Sequence, residues 1–179
     1  MKATIAALAV IGALTSAAFG QSIGEKTGAN SALGITPKTE DFIRGAALSD
    51  MLEIAAAKVA QEKGNSEVKT FAETIITDHT KTSSELKDLV TGDMKTAIPT
   101  ALDDSSQKKL DKLRDTRAQA FASEYDPMQV SVHEHAVSLF ERYAKGGDNE
   151  MLKGWASKTL PMLQHHLQMA QELNKHRKK

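Results

Sequence analysis

Three histidines and a glutamate stand where helices would bury them. In the stretch Thr74 to Thr82, TIITDHTKT, His79 follows Ile75 by four residues, which on a helix puts the imidazole on the apolar face. Val68, Phe71, Ala72, Ile75, His79, Leu86 and Leu89 recur at spacings of three, four and seven, so position 79 belongs to a core stripe. His133 holds the same place among Val130, Val137, Phe140 and Ala144, while His135 falls about 160 degrees from that line. His166 fits the stripe Leu152, Trp155, Ala156, Thr159, Leu163, Ala170 and Leu173 better than His165 does. Glu53 is surrounded at helical spacing by Ser49, Ala46, Ala56, Ala57 and Ala60, small residues that let helices approach closely around a carboxylate.

Neutral imidazoles and a carboxylate are the donors of a transition-metal site. Glu53, His79, His133 and His166 each come from a different expected helix at comparable depth, Glu53 and His79 differing by roughly 6 Å in height at 1.5 Å per residue. They suit one ion of zinc, iron, manganese or copper. Asp78 is either a fifth ligand or a partner that orients a ligating imidazole, its plainer role being a solvated flank residue. A lone histidine on an apolar stripe is more often a core group satisfied by a carbonyl or hydroxyl. Three together are harder to explain so, because each without a partner carries about 1 to 3 kcal/mol of desolvation. The scattered methionines 51, 128, 151, 162 and 169 read as core filling rather than thioether ligands.

Four helices must position these groups. Thr36-Pro37 opens the first, which runs to Lys63 and stops at Gly64; Asn65-Ser66 caps the second, from Glu67 to about Thr91. The third covers about Ala118 to Lys145 with a bend or restart at Asp126-Pro127, and Asp148 caps the fourth, kinked at Pro161. No segment alternates with period two long enough to argue a strand. The fold class is all-α, and a four-helix bundle lets each stripe share one core. Residues 93 to 117, with a short helix carrying Leu110 and Leu113, form a crossover long enough to return along the bundle. This makes the second and third helices parallel, a ferritin-like arrangement.

Ahead of the bundle domain of residues 36 to 179, MKATIAALAVIGALTSAAFG reads as a cleaved signal peptide of residues 1 to 20. Its apolar run is short of the roughly 20 residues a membrane span requires. A flexible lead-in, residues 21 to 35, carries three glycines and receives no assigned structure. Cleavage implies a periplasmic or secreted protein with no integral membrane segment. The chain has no cysteine, and removing Lys2 with the signal leaves 22 basic against 23 acidic residues, a balance that argues against nucleic acid as a partner.

The stretches MLEIAAAKVA, FAETIITDHTKTSSEL, AVSLFERYAK and LPMLQHHLQMAQEL, with the spacing from Phe121 to His133, resemble a ferritin-like family of exported bacterial proteins, domain of unknown function 4142. The resemblance runs from about Phe42 to Leu173. It places the family's motifs on Glu53, on Asp78-His79-Thr80, on His133, and on Leu160-Pro161 with His166-Leu167. Ala122 and Pro127 depart from the family pattern. The resemblance implies fold and compartment, not a reaction. Di-iron bundles place a glutamate three residues before a histidine, whereas Ile76, Val130 and Leu163 occupy those positions here, favouring one ion over two.

Three functions stay open on sequence alone: a metal-binding bundle, a metal-free envelope or stress-related interaction protein with structural histidines, and an enzyme with an open coordination position. No nucleophile elbow or phosphate loop supports the last.

Overall fold

The computed structural model describes residues 22–177. The signal-peptide reading therefore lies outside the described residues. Every regular element among them is helical. Four long helices dominate: α3 (Thr39–Lys63), α4 (Ser66–Leu89), α6 (Phe121–Gly146) and α7 (Glu150–Arg177), with α5 (Asp104–Asp115) in the crossover and α1 (Ile23–Lys26) and α2 (Ala29–Ala32) ahead of them. No helix among the described residues is long and apolar enough to cross a membrane.

The turn at Gly64-Asn65 folds α4 back on α3, and Asn65 caps α4 by accepting from the Val68 amide at 2.9 Å. Phe42 near the start of α3 stacks on Tyr143 near the end of α6, centroids 3.9 Å apart, so those helices also run oppositely. Helix α7 opposes α4, as Glu67–His176, Asp78–His166 and Glu85–Trp155 show. Helices α4 and α6 therefore run the same way, joined by the crossover. Gly92 turns the chain out of α4 at a φ of 57°, a conformation open to glycine without strain, before a 3-10 stretch, Gly92–Ala97, leads toward α5. Leu110 and Leu113 of α5 are buried as their spacing predicts.

The buried apolar residues divide in two. One cluster gathers Phe42, Phe140, Tyr143 and Trp155; the other gathers Phe71, Ile75, Leu110, Phe121 and Tyr125. Each fully buried large side chain of this kind contributes about 1.5 to 3 kcal/mol. Between the two clusters along α4, α6 and α7 lie His79, His133 and His166, with Asp50 and Glu53 facing them from α3.

Several local expectations are corrected. Thr36-Pro37 does not cap α3, whose N-cap position is Lys38 without a side-chain cap bond. Asn149 rather than Asp148 caps α7, accepting from the Leu152 amide at 3.1 Å. Thr39 and Asp148 instead hydrogen-bond each other, and Thr39 also meets the Tyr143 hydroxyl at 2.6 Å, so a contact between helices takes the groups that local signals assign to caps. Helix α6 starts at Phe121 after a 3-10 turn, Ala118–Ala120, and runs through Pro127 without a restart; Pro161 lies inside α7, as expected. The lead-in to which the sequence assigns no structure forms α1 and α2, with Gly28 between them at a φ of 76°. Arg142 of α6 donates to both Glu25 carboxylate oxygens, at 2.8 and 3.0 Å, and Ser31 meets Ser138 at 2.7 Å.

Candidate metal centre

The helical stripes deliver one imidazole each from α4, α6 and α7. His79, His133 and His166 are at most 1% exposed, and one ring nitrogen of each lies within 4.8 Å of those of the other two. The ring centroids are 5.5 to 5.8 Å apart. Their neighbours His135 and His165 are exposed, as the stripes require.

Each ring is anchored on one side only. The His79 Nδ1–H donates to Asp50 Oδ1 at 2.8 Å, and the same oxygen accepts from the Thr82 hydroxyl at 2.9 Å. The His133 Nδ1–H donates to the Gln129 carbonyl one turn earlier at 2.9 Å. The His166 Nε2–H donates to Asp78 Oδ2 at 2.9 Å. These contacts leave His79 Nε2, His133 Nε2 and His166 Nδ1 as buried nitrogens without a hydrogen-bond partner. A carboxylate or carbonyl behind an imidazole is the usual support of a ligating histidine.

Glu53 is 1% exposed, and neither of its carboxylate oxygens has a partner. Its Oε1 lies 3.9 Å from His133 Nδ1, the anchored nitrogen of that ring, and Glu53 does not belong to the group of three close nitrogens. Asp78 is a partner of His166 rather than a further inward donor. Asp50 is the residue that sequence reasoning missed. It is buried and lies three residues before Glu53, on the line Ile43, Ala46, Asp50, Glu53, Ala57, Ala60, a periodicity that extends the stripe through it.

Asp50, Asp78 and the Gln129 carbonyl thus back the three imidazoles, with Glu53 beside His133. Burial lowers the His133 pKa against the opposing pull of Glu53. Burial, followed by the charge of His79, takes His166 down to about 4. For His79, burial lowers the pKa but is outweighed by the hydrogen bond and charge of Asp50, with Glu53 and Asp78, and the balance is raised. Asp50 is itself raised, chiefly by burial. Two of the three imidazoles are therefore held neutral, the form that ligates.

The donor set fits a metal ion on chemistry and on reach. Nitrogens bound at 2.0 to 2.1 Å around a tetrahedral ion would stand about 3.3 Å apart, a modest contraction from the present separations. In class, this is an all-helical protein with a buried three-histidine cluster backed by carboxylates. The family model described as Domain of unknown function (DUF4142) matches residues 24–173, and the chain belongs to that family. Searches of curated proteins and of solved structures returned no match.

Proposed function

We propose that this is an exported metal-binding protein with a ferritin-like four-helix bundle, holding one transition-metal ion through His79, His133 and His166 with Glu53 as the carboxylate donor. Asp50, Asp78 and the Gln129 carbonyl orient the rings. The observation that carries the reading is the one-sided anchoring: three imidazoles each tied at one nitrogen leave the other buried and unpartnered. Unpartnered buried groups are expensive, and a cation would satisfy all three together with the Glu53 oxygens. Nitrogen and oxygen donors of this kind suit zinc, iron, manganese or copper.

The ferritin-like topology is supported by the shared direction of α4 and α6 and by the crossover between them. Export rests on the apolar run Ala3 to Leu14 followed by small residues, and places the protein in the periplasm or outside the cell. A bound ion of this type supplies Lewis acidity and, for iron or copper, electron transfer; the chain's own part is to bind it, orient the rings and exclude water.

Elemental analysis of protein purified without an affinity tag provides the test. About one ion per chain is expected, and His79→Ala, His133→Ala and His166→Ala each lose most of it. Retention of roughly nine-tenths or more of the metal in all three variants, against effects of tenfold or greater for lost ligand support, ends the proposal.

A further inference from the structure

A cleft of about 220 Å³ opens between α3 and α6, with α1 and α2 at one side and the start of α5 at another. Small residues on its lining, Ser49 on α3 and Ala136 on α6, leave room for it. Glu53 also lines it. The same residue therefore lies on the cleft lining and 3.9 Å from His133 of the three-histidine cluster, and neither of its buried oxygens has a hydrogen-bond partner. The other charges on the lining differ. Glu25 is neutralised by Arg142 through two hydrogen bonds, and Asp103 accepts from the Ser106 amide at 2.7 Å as the cap of α5. Lys109 is exposed at the rim.

We propose that this cleft is the entrance to the centre for an aquated divalent cation, and that Glu53, buried at its inner end, is the donor that passes the ion to the imidazoles. The inference rests on the metal-centre reading above and adds a route to it. A strongly hydrated cation crosses an apolar core only at high energy, whereas a cleft with Glu53 at its inner end lets it exchange water for protein oxygen stepwise. With Glu25 paired to Arg142 and Asp103 tied at one oxygen as a helix cap on the exposed rim, Glu53 is the buried lining carboxylate whose oxygens have no hydrogen-bond partner. Lys109 at the mouth opposes approach, so its charge tunes the rate rather than the affinity.

Stopped-flow uptake of Zn2+ by the full mature chain, and its release to excess chelator, separate route from site. Ser49→Leu narrows the cleft one turn from Glu53 and slows uptake and release by the same factor, at least about threefold, leaving equilibrium affinity and the final ratio of ion to chain unchanged. Lys109→Glu, on an exposed surface that tolerates substitution, speeds uptake by about threefold at low ionic strength and loses that advantage at high salt. Ions still bound at equilibrium but exchanging at wild-type rates in both variants would overturn the entrance while sparing the centre. Failure of the wild type to take up Zn2+ at all would remove the centre and its entrance together.

Discussion

The aromatic end of the core and its histidine layer are built from the same helices and are buried to the same degree, yet they treat polar atoms in opposite ways. At the aromatic end Phe42 stacks on Tyr143 and meets Phe140 and Trp155 edge-on. The polar tips there are satisfied: the Tyr143 hydroxyl meets Thr39, and the Trp155 Nε1–H donates to Glu85 at 2.9 Å. In the middle layer the outer nitrogen of every imidazole is satisfied and the inner one is not, and Glu53 has no partner at either oxygen. A protein that pairs Trp155 through Glu85 can pair buried polar groups. The difference is that the middle layer gathers three unpartnered ring nitrogens in one place, the pattern on which the metal proposal rests.

The comparison breaks most visibly at Phe42. Phe42→Ala is expected to lower stability by about 3 to 5 kcal/mol through the cavity it leaves, by the same amount with chelator as with added zinc, as measured by urea denaturation. A loss that depends on metal would mean that the two regions are not separable.

The middle layer responds in the opposite sense. Zinc at a hundred times its dissociation constant adds about 2.7 kcal/mol to the wild type, roughly 5 to 10 °C in melting temperature for a domain of this size. His133→Leu abolishes that gain, while its chelated form stays near wild-type stability because an unpartnered polar group has been replaced by an apolar one. Equal melting temperatures with chelator and with zinc in the wild type would instead favour structural histidines.

Asp50→Asn sharpens the comparison by loosening one support without removing a donor. Metal affinity is expected to weaken by about 10- to 100-fold, or 1.4 to 2.7 kcal/mol, read by competition with a chelator. No change would make Asp50 a fold residue only.

Acid acts on the layer with a net effect reduced by opposing signs. His166, depressed to about 4 by burial and by His79, contributes stability to the chelated protein above its unfolded value near 6.5. That contribution is lost as pH falls toward 4, where the unfolded chain has already taken up a proton. His79, raised, opposes the trend on the acid side. Asp50 and Asp126, both raised chiefly by burial, oppose it too, so the expected signature is a difference: from pH 6.5 to 4 the urea midpoint of His166→Leu rises relative to that of the wild type, and a constant difference would count against the assignment.

The smallest effects are expected one and two residues away. His165→Ala and His135→Ala, both exposed, should change stability by no more than about 0.5 kcal/mol and leave bound metal untouched, distinguishing histidines that face inward from histidines as such.

Much of this was legible before any coordinates. The choice of His133 over His135 and of His166 over His165 follows from helical period alone, because a shift of one residue rotates a side chain by about 100 degrees. The cap at Asn65 was also readable, since a cap is a bond within four residues. The cap at Asn149 was missed because Thr39, over a hundred residues distant, takes Asp148.

By itself the sequence determined an all-helical chain, the positions at which each long helix faces inward, and the burial of Glu53, His79, His133 and His166, because these depend on residues three and four apart. Only the tertiary structure decided that Asp50 backs His79, that Asp78 turns to His166 rather than inward, and that Glu53 stands between the imidazoles and a cleft. Those relations join different helices, and they depend on how far each is rotated and slid against its neighbour, a quantity set by packing of the whole core and absent from any local spacing.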